Sequence, residues 1–108
     1  MAPLRTAQPR FSLGQIVHHL KFGYRGVVYD VDPEFGLSEA WYNEVARSRP
    51  PKDKPWYRVL VDGTNQETYV AERHLETAKD TRPIDHPLVL SIFDAYRHGA
   101  YIRDRALN

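Results

Sequence analysis

The stretch that most constrains the fold is Tyr24 to Pro33, YRGVVYDVDP. Gly23 and Gly26 bracket Tyr24-Arg25, so the chain can turn there through backbone angles that side chains forbid. Val27, Val28, Tyr29 and Val31 are β-branched or aromatic and suit a pleated, mostly buried strand. Pro33 has no amide hydrogen and ends the ladder. Ahead of it, Gln15 to His19 is a second short β-like run, and the two read as the opening hairpin of a small barrel. Alternation puts Ile16 and His18 on one face of the first strand, and Val17 and His19 on the other. In the second strand Val27, Tyr29 and Val31 share a face and Val28 lies opposite. Neither strand alternates cleanly, which is expected of strands covered on both sides.

Trp56 to Asp62 is the next strong strand, with Tyr57, Val59 and Val61 on one face and Trp56, Arg58 and Leu60 on the other. Asp62-Gly63-Thr64-Asn65 is a turn, and Glu67 to Ala71 returns to complete a hairpin. Glu72 to Leu75 closes the β region as a 3₁₀ turn leading into a last short strand. Between the second and third strands lies a long loop, residues 34–55. Leu37 to Val45 within it has the pattern of a short helical turn capped by Ser38. Arg49-Pro50-Pro51-Lys52-Asp53-Lys54-Pro55 excludes both helix and central strand. Loops of this length are usually functional or disordered, and Trp41 and Tyr42 argue against full disorder.

Past Lys79 the pattern changes. Thr81-Arg82-Pro83 reads as a linker and Asp85 as the cap of a helix. Leu88, Val89, Ile92, Phe93 and Tyr96 share one helical face, and Gly99 is placed to end the helix. That helix is expected to lie on its own sheet, with a homo-oligomer interface as the alternative. The chain thus divides into a tail at 1–10, a β unit at 11–80, and a linker with a C-terminal α-helix at 81–108. With 108 residues, 42% of them hydrophobic, there is material for one core.

Composition excludes several function classes. No apolar run approaches the length that crosses a membrane, and the N-terminus lacks the apolar segment of a secretory signal. The absence of cysteine rules out disulfides and thiolate metal sites and fits a cytoplasmic location. His18 and His19 point to opposite faces of a strand, and His74, His86 and His98 lack the spacing of a zinc site. No serine sits in a nucleophile elbow, and the glycines form no phosphate-cradling loop. A binding protein is expected, neither enzyme nor cofactor carrier.

Net charge is +1, from 15 Lys and Arg against 14 Asp and Glu, lower than in most non-specific nucleic-acid binders. The charge is unevenly spread: Asp30 to Glu44 carries no cation, whereas Arg47, Arg49, Lys52, Lys54 and Arg58 follow with one acid among them. Such a run is either a solvated loop or a surface for phosphate or an acidic partner. Aromatics make up 12% of the chain. Most fill the core of so small a β fold; one or two left exposed would form a flat platform for a base or a peptide.

Across many separated positions the sequence resembles the YccV-like, or hemimethylated-DNA-binding, family, which includes the bacterial heat-shock protein HspQ. The positions are Phe11, Leu13-Gly14-Gln15, Val17, His19, Gly23-Tyr24, Gly26-Val27-Val28, Asp30-Val31-Asp32-Pro33 and Leu37-Ser38-Glu39. Pro55-Trp56-Tyr57, Val59, Val61, Thr68-Tyr69, Ala71-Glu72 and Leu75 continue it. The resemblance implies a mainly β fold, an SH3-like five-stranded barrel with a long loop between strands two and three. It also implies either binding of hemimethylated double-stranded DNA or a stress-linked role as adaptor, specificity factor or substrate of the Lon protease. On the DNA reading Lys21, Arg25, Arg47, Arg49, Lys52, Lys54 and Arg58 would meet phosphates, while Trp41, Tyr42 or Trp56 would contact bases or sugars. On the adaptor reading an aromatic groove and the adjoining acidic and basic stretches would meet a protein.

Overall fold

The computed structural model describes residues 8–103. Its centre is one antiparallel sheet built from β1 (Ile16–His19), β2 (Arg25–Asp32), β3 (Trp56–Val61), β4 (Glu67–Ala71) and β5 (Leu75–Thr77). The spatial order is β4-β3-β2-β1-β5, so β4 and β5 are the edges and no ladder closes the sheet into a barrel among the described residues. A 3₁₀ turn, Glu72–His74, carries the chain from β4 to β5. The hairpins expected at β1–β2 and β3–β4 are both present, with Ile16 opposite Val27 and Val59 opposite Thr68. Gly23 has the left-handed backbone expected of the first turn (φ 76°). Gly26 does not belong to that turn. It lies within β2, where a β-carbon would sit 2.4 Å from a Val59 methyl and 2.6 Å from the Leu60 carbonyl oxygen.

The sheet is buried on both faces, and this explains why its strands do not alternate between apolar and polar. Val17, Val28, Tyr57, Val59, Val70 and Leu75 pack with Phe11 in one cluster. Ile16, Val27 and Leu60 belong to another, completed by Ile84, Val89, Phe93 and Tyr101 from the C-terminal segment. The face assigned to Val31 needs correction. A bulge between Val28 and Asp30 shifts the register, so Val31 packs with the cluster of Val28, while Tyr29 stays with that of Val27.

The C-terminal helix also needs correction. Among its described residues only α2, Val89–Ile92, is helical, and Asp85 provides no side-chain cap. Phe93 is extended, and β6 (Ala95–Arg97) pairs with β7 (Ala100–Ile102) in a hairpin. Its two turn residues, His98 and Gly99, both have positive φ (53° and 79°), as a tight two-residue hairpin turn requires. The chain starts on the expected helical period at Val89–Ile92, and the His98-Gly99 turn imposes the hairpin beyond it. The hairpin joins the first strand region through the Gln15–Ala100 bridge and the Tyr101 amide, which donates to the Gly14 carbonyl at 2.8 Å. No helix of the described residues is long and apolar enough to cross a membrane.

Candidate functional site

The 33–55 connection is held down by polar atoms on aromatic rings. Ser38 caps α1 (Glu39–Val45) by accepting a hydrogen bond from the Trp41 amide at 3.1 Å. The i, i+4 spacing then turns Trp41 and Val45 toward one side and Tyr42 and Ala46 toward the sheet, against Trp56 and Ala71. Pro50 and Pro51 have no amide hydrogen, so their carbonyls are the only backbone groups they bring to hydrogen bonds. They accept from the Tyr42 hydroxyl (2.6 Å) and the Trp56 indole N–H (3.0 Å). On the other arm the Tyr69 hydroxyl donates to Asp32 at 2.5 Å and accepts from the Gly36 amide at 2.9 Å. The phenol is held far above its usual range, by burial first and then by the Asp32 carboxylate. The proline-rich run is therefore a strap fixed to aromatic side chains.

The strap, β4 and the β1–β2 turn enclose an open groove of about 570 Å³. Trp41, Trp56, Tyr69 and Tyr29 supply ring surface, and Trp56 and Tyr69 stack at 5.3 Å and 24°. Lys21, Arg47 and Arg58 also line the groove, and among the described lining residues Glu67 is the one carboxylate. Arg58 lies 4.9 Å from the Tyr69 ring centre and 3.8 Å from Asp30. Glu67 accepts from the Tyr29 hydroxyl, whose pKa is pushed up to about 12 by burial and by that carboxylate.

One end of the groove is a ring ladder. His19 Nδ1 accepts from the backbone amides of Lys21 (3.1 Å) and Phe22 (3.0 Å), which fixes the β1–β2 turn and sends both side chains outward. Phe22 stacks on His19 at 4.8 Å, and His19 lies nearly parallel to His74 at 5.8 Å. His74 Nε2 meets the Ser48 hydroxyl on the strap at 3.0 Å. Burial lowers the pKa of both imidazoles, with positive neighbours adding to the effect: His74, His18 and Lys21 for His19, Arg73 and Lys21 for His74. A neutral His19 is what two accepted amide bonds require. Phe22 is 70% exposed, and the Lys21 ammonium lies 5.5 Å from its ring centre.

The structure brings Lys21, Trp41, Arg47, Trp56 and Arg58 together in this groove. Tyr42 is buried beneath it, with Lys52 Nζ 4.3 Å and the Arg49 guanidinium 4.6 Å from its ring centre. Those two cations are also engaged by Glu39 and Asn43, respectively. Lys54 is exposed and does not line the groove. Arg25 is committed elsewhere. It donates to the Asp80 and Arg82 carbonyls and to the Asp62 carboxylate, each at 2.9 Å, and so ties the β2 entrance to the C-terminal segment. Sequence reading missed Phe22, Glu67 and the pairing of His19 with His74. Phe22 had one signal, a large apolar residue between Lys21 and Gly23 at a turn tip, where packing does not account for it.

Among the described residues no group of three or more His, Cys, Asp or Glu could hold a metal ion. The arrangement offers stacking surface, three cations and a few hydrogen-bonding groups. The family model for "Hemimethylated DNA-binding protein YccV like" matches residues 9–100.

Proposed function

We propose, from the premise that the chain belongs to the YccV-like family, that it is a non-enzymatic protein binding double-stranded DNA at this groove, with preference for hemimethylated sites. The observation that carries this reading is the meeting of Lys21, Arg47 and Arg58 with open ring surface in one groove lined by a single carboxylate among the described residues. Phosphates bind such cations irrespective of sequence, and aromatic faces then take up bases or the methyl group. The near-neutral net charge of +1 fits binding concentrated on one patch. The fold that accompanies this reading is an SH3-like barrel, supported by a five-stranded sheet with core residues on both faces.

Matched hemimethylated and unmethylated duplexes, titrated into an amide-resolved NMR spectrum at two salt concentrations, test the reading. Shifts centred on Lys21, Phe22, Arg47 and Arg58, larger for the hemimethylated duplex and reduced by salt, support it. Equal shifts for the two duplexes remove the methylation preference. Leu20, Phe22 and Val45, 53%, 70% and 57% exposed, favour a second reading in which a protein such as the Lon protease covers this rim. Absence of shifts with either duplex, with shifts on adding Lon, selects it.

A further inference from the structure

All five residues of β4 line the groove, and β4 is one of the two edges of the sheet. The lining comes from both faces of that sheet. Tyr24 and Val70 pack with the cluster of Val28, whereas Arg58 and Tyr69 lie together on the opposite face. Two opposite faces border one cavity where the sheet ends between them, so the groove runs along the edge of β4. Register identifies the backbone groups on that edge. The Val61 amide donates to Gln66 and the Glu72 amide to Pro55, so Thr68 and Val70 turn their amides and carbonyls toward β3. Glu67, Tyr69 and Ala71 turn theirs away. Ala71 is buried with Tyr42 and Ala46 of the strap. At Glu67 and Tyr69 no protein group among the described residues pairs with the outward N–H and C=O.

Such an edge offers donors and acceptors in alternation. Phosphate supplies acceptors alone and leaves the two carbonyls unmet, whereas an added polypeptide strand meets all four groups. Sheet edges are ordinarily blunted by brevity, charge or proline. β5 has three residues, but β4 has five, with no proline and with Glu67 as its one charge. The side chains of an added strand would alternate between two walls. Phe22, Tyr24 and His19 stand on one side, Tyr29, Trp41 and Arg58 on the other. Lys21, Arg47 and Arg58 against Glu67 make the surroundings positive, which suits acidic residues in the added strand. The same charge opposes a second copy of the chain, whose own cations would arrive with its β4.

We propose that β4 takes an acidic, extended peptide segment of another protein as an additional strand, paired through the N–H and C=O groups of Glu67 and Tyr69. This goes beyond the DNA reading and uses backbone groups that phosphate contacts leave idle. Because both ligands call on Lys21, Arg47 and Arg58, peptide and duplex exclude one another.

The test uses the full chain and short labelled peptides in which valine alternates with glutamate, with lysine-for-glutamate and backbone N-methylated counterparts. The glutamate peptide should bind about tenfold more tightly than the lysine peptide and slow hydrogen exchange at the Glu67 and Tyr69 amides. N-methylation removes the peptide's donors and should abolish binding. Glu67→Pro removes one outward amide hydrogen without breaking a bond to β3 and should weaken binding about tenfold. Glu67→Ala keeps that hydrogen, removes the opposing carboxylate and should tighten binding. No binding of the glutamate peptide, equal binding of its N-methylated form, or unchanged exchange at Glu67 and Tyr69 overturns the proposal. A dimer in sedimentation that Glu67→Pro abolishes gives the edge to a second copy and also overturns it. A duplex that binds where the peptide does not leaves the DNA reading standing; a peptide that binds where the duplex does not removes that reading and leaves this one.

Discussion

At the scale of single residues, His19 organises the site through an acceptor. Its Nδ1 holds two turn amides, and its ring supports Phe22 on one side and faces His74 on the other. Protonation removes that acceptor and adds charge beside His74, His18 and Lys21. Because the pKa of His19 is lowered below the ordinary 6.5, the unfolded chain takes up the proton first on acidification. The contribution of His19 to stability is therefore complete above pH 6.5 and is lost as pH falls from there through the folded-state value; His74 acts in the same direction. Melting temperatures between pH 5 and pH 8 should fall toward the acid side, and His19→Ala should flatten that dependence. At neutral pH the same substitution leaves two turn amides without their acceptor and should cost about 1–3 kcal/mol. Unchanged pH dependence in the variant would contradict this account. None of it was legible in the sequence: adjacency of His18 and His19 showed that they could not share an ion, but the contact with His74 depends on β1 pairing with β5.

Arg25 gives the complementary case. By sequence it belongs with the other cations beside the aromatic strand, yet its guanidinium is used up by Asp62 and two carbonyls. Arg25→Ala should destabilise the fold by about 2 kcal/mol, because it takes one of two donors from the partly buried Asp62 carboxylate and the guanidinium donor from two carbonyls. Affinity for DNA, measured on the folded fraction, should be unchanged. A variant of normal stability and reduced affinity would return Arg25 to the binding surface.

At the scale of elements, β1 to β5 were legible because β-branched and aromatic residues cluster between clear turn signals, and α1 because Ser38 precedes its first turn. The bulge at Val28–Asp30 leaves no mark in the hydrophobic pattern, so the face of Val31 was misassigned. Leu88, Val89, Ile92, Phe93 and Tyr96 match a helical period, which predicts helix where β6 forms, and His98-Gly99 is the contrary signal. That hairpin is docked through Gly14, whose φ is 87° and where a β-carbon would sit 1.9 Å from the Tyr101 carbonyl oxygen. Gly14→Ala should therefore cost about 3 kcal/mol or more, combining left-handed backbone strain with loss of the close approach. Hydrogen exchange should locate the damage at 95–102 and along β1. Wild-type stability in this variant would mean that the hairpin is not held there.

At the scale of the whole molecule, the C-terminal segment covers one face of the sheet, while the strap and the β1–β2 turn build a groove over β4. The sequence showed the supply of aromatics and cations, and the resemblance pointed to the family. It did not show which of them meet, because Lys21, Arg47 and Arg58 come from three separate elements brought together by strand order. The central claim is that these three contact phosphate, and the direct measurement is affinity for a hemimethylated duplex as a function of salt, for the wild type and for Arg47→Ala. Arg47 is exposed, and its side chain makes no hydrogen bond or ion pair among the described residues, so its removal leaves the fold intact. Three phosphate contacts predict that affinity falls roughly 40-fold between 50 and 200 mM salt, and that the logarithmic slope drops by about 0.9 in the variant. Affinity independent of salt, or a slope unchanged by the loss of Arg47, would contradict the account.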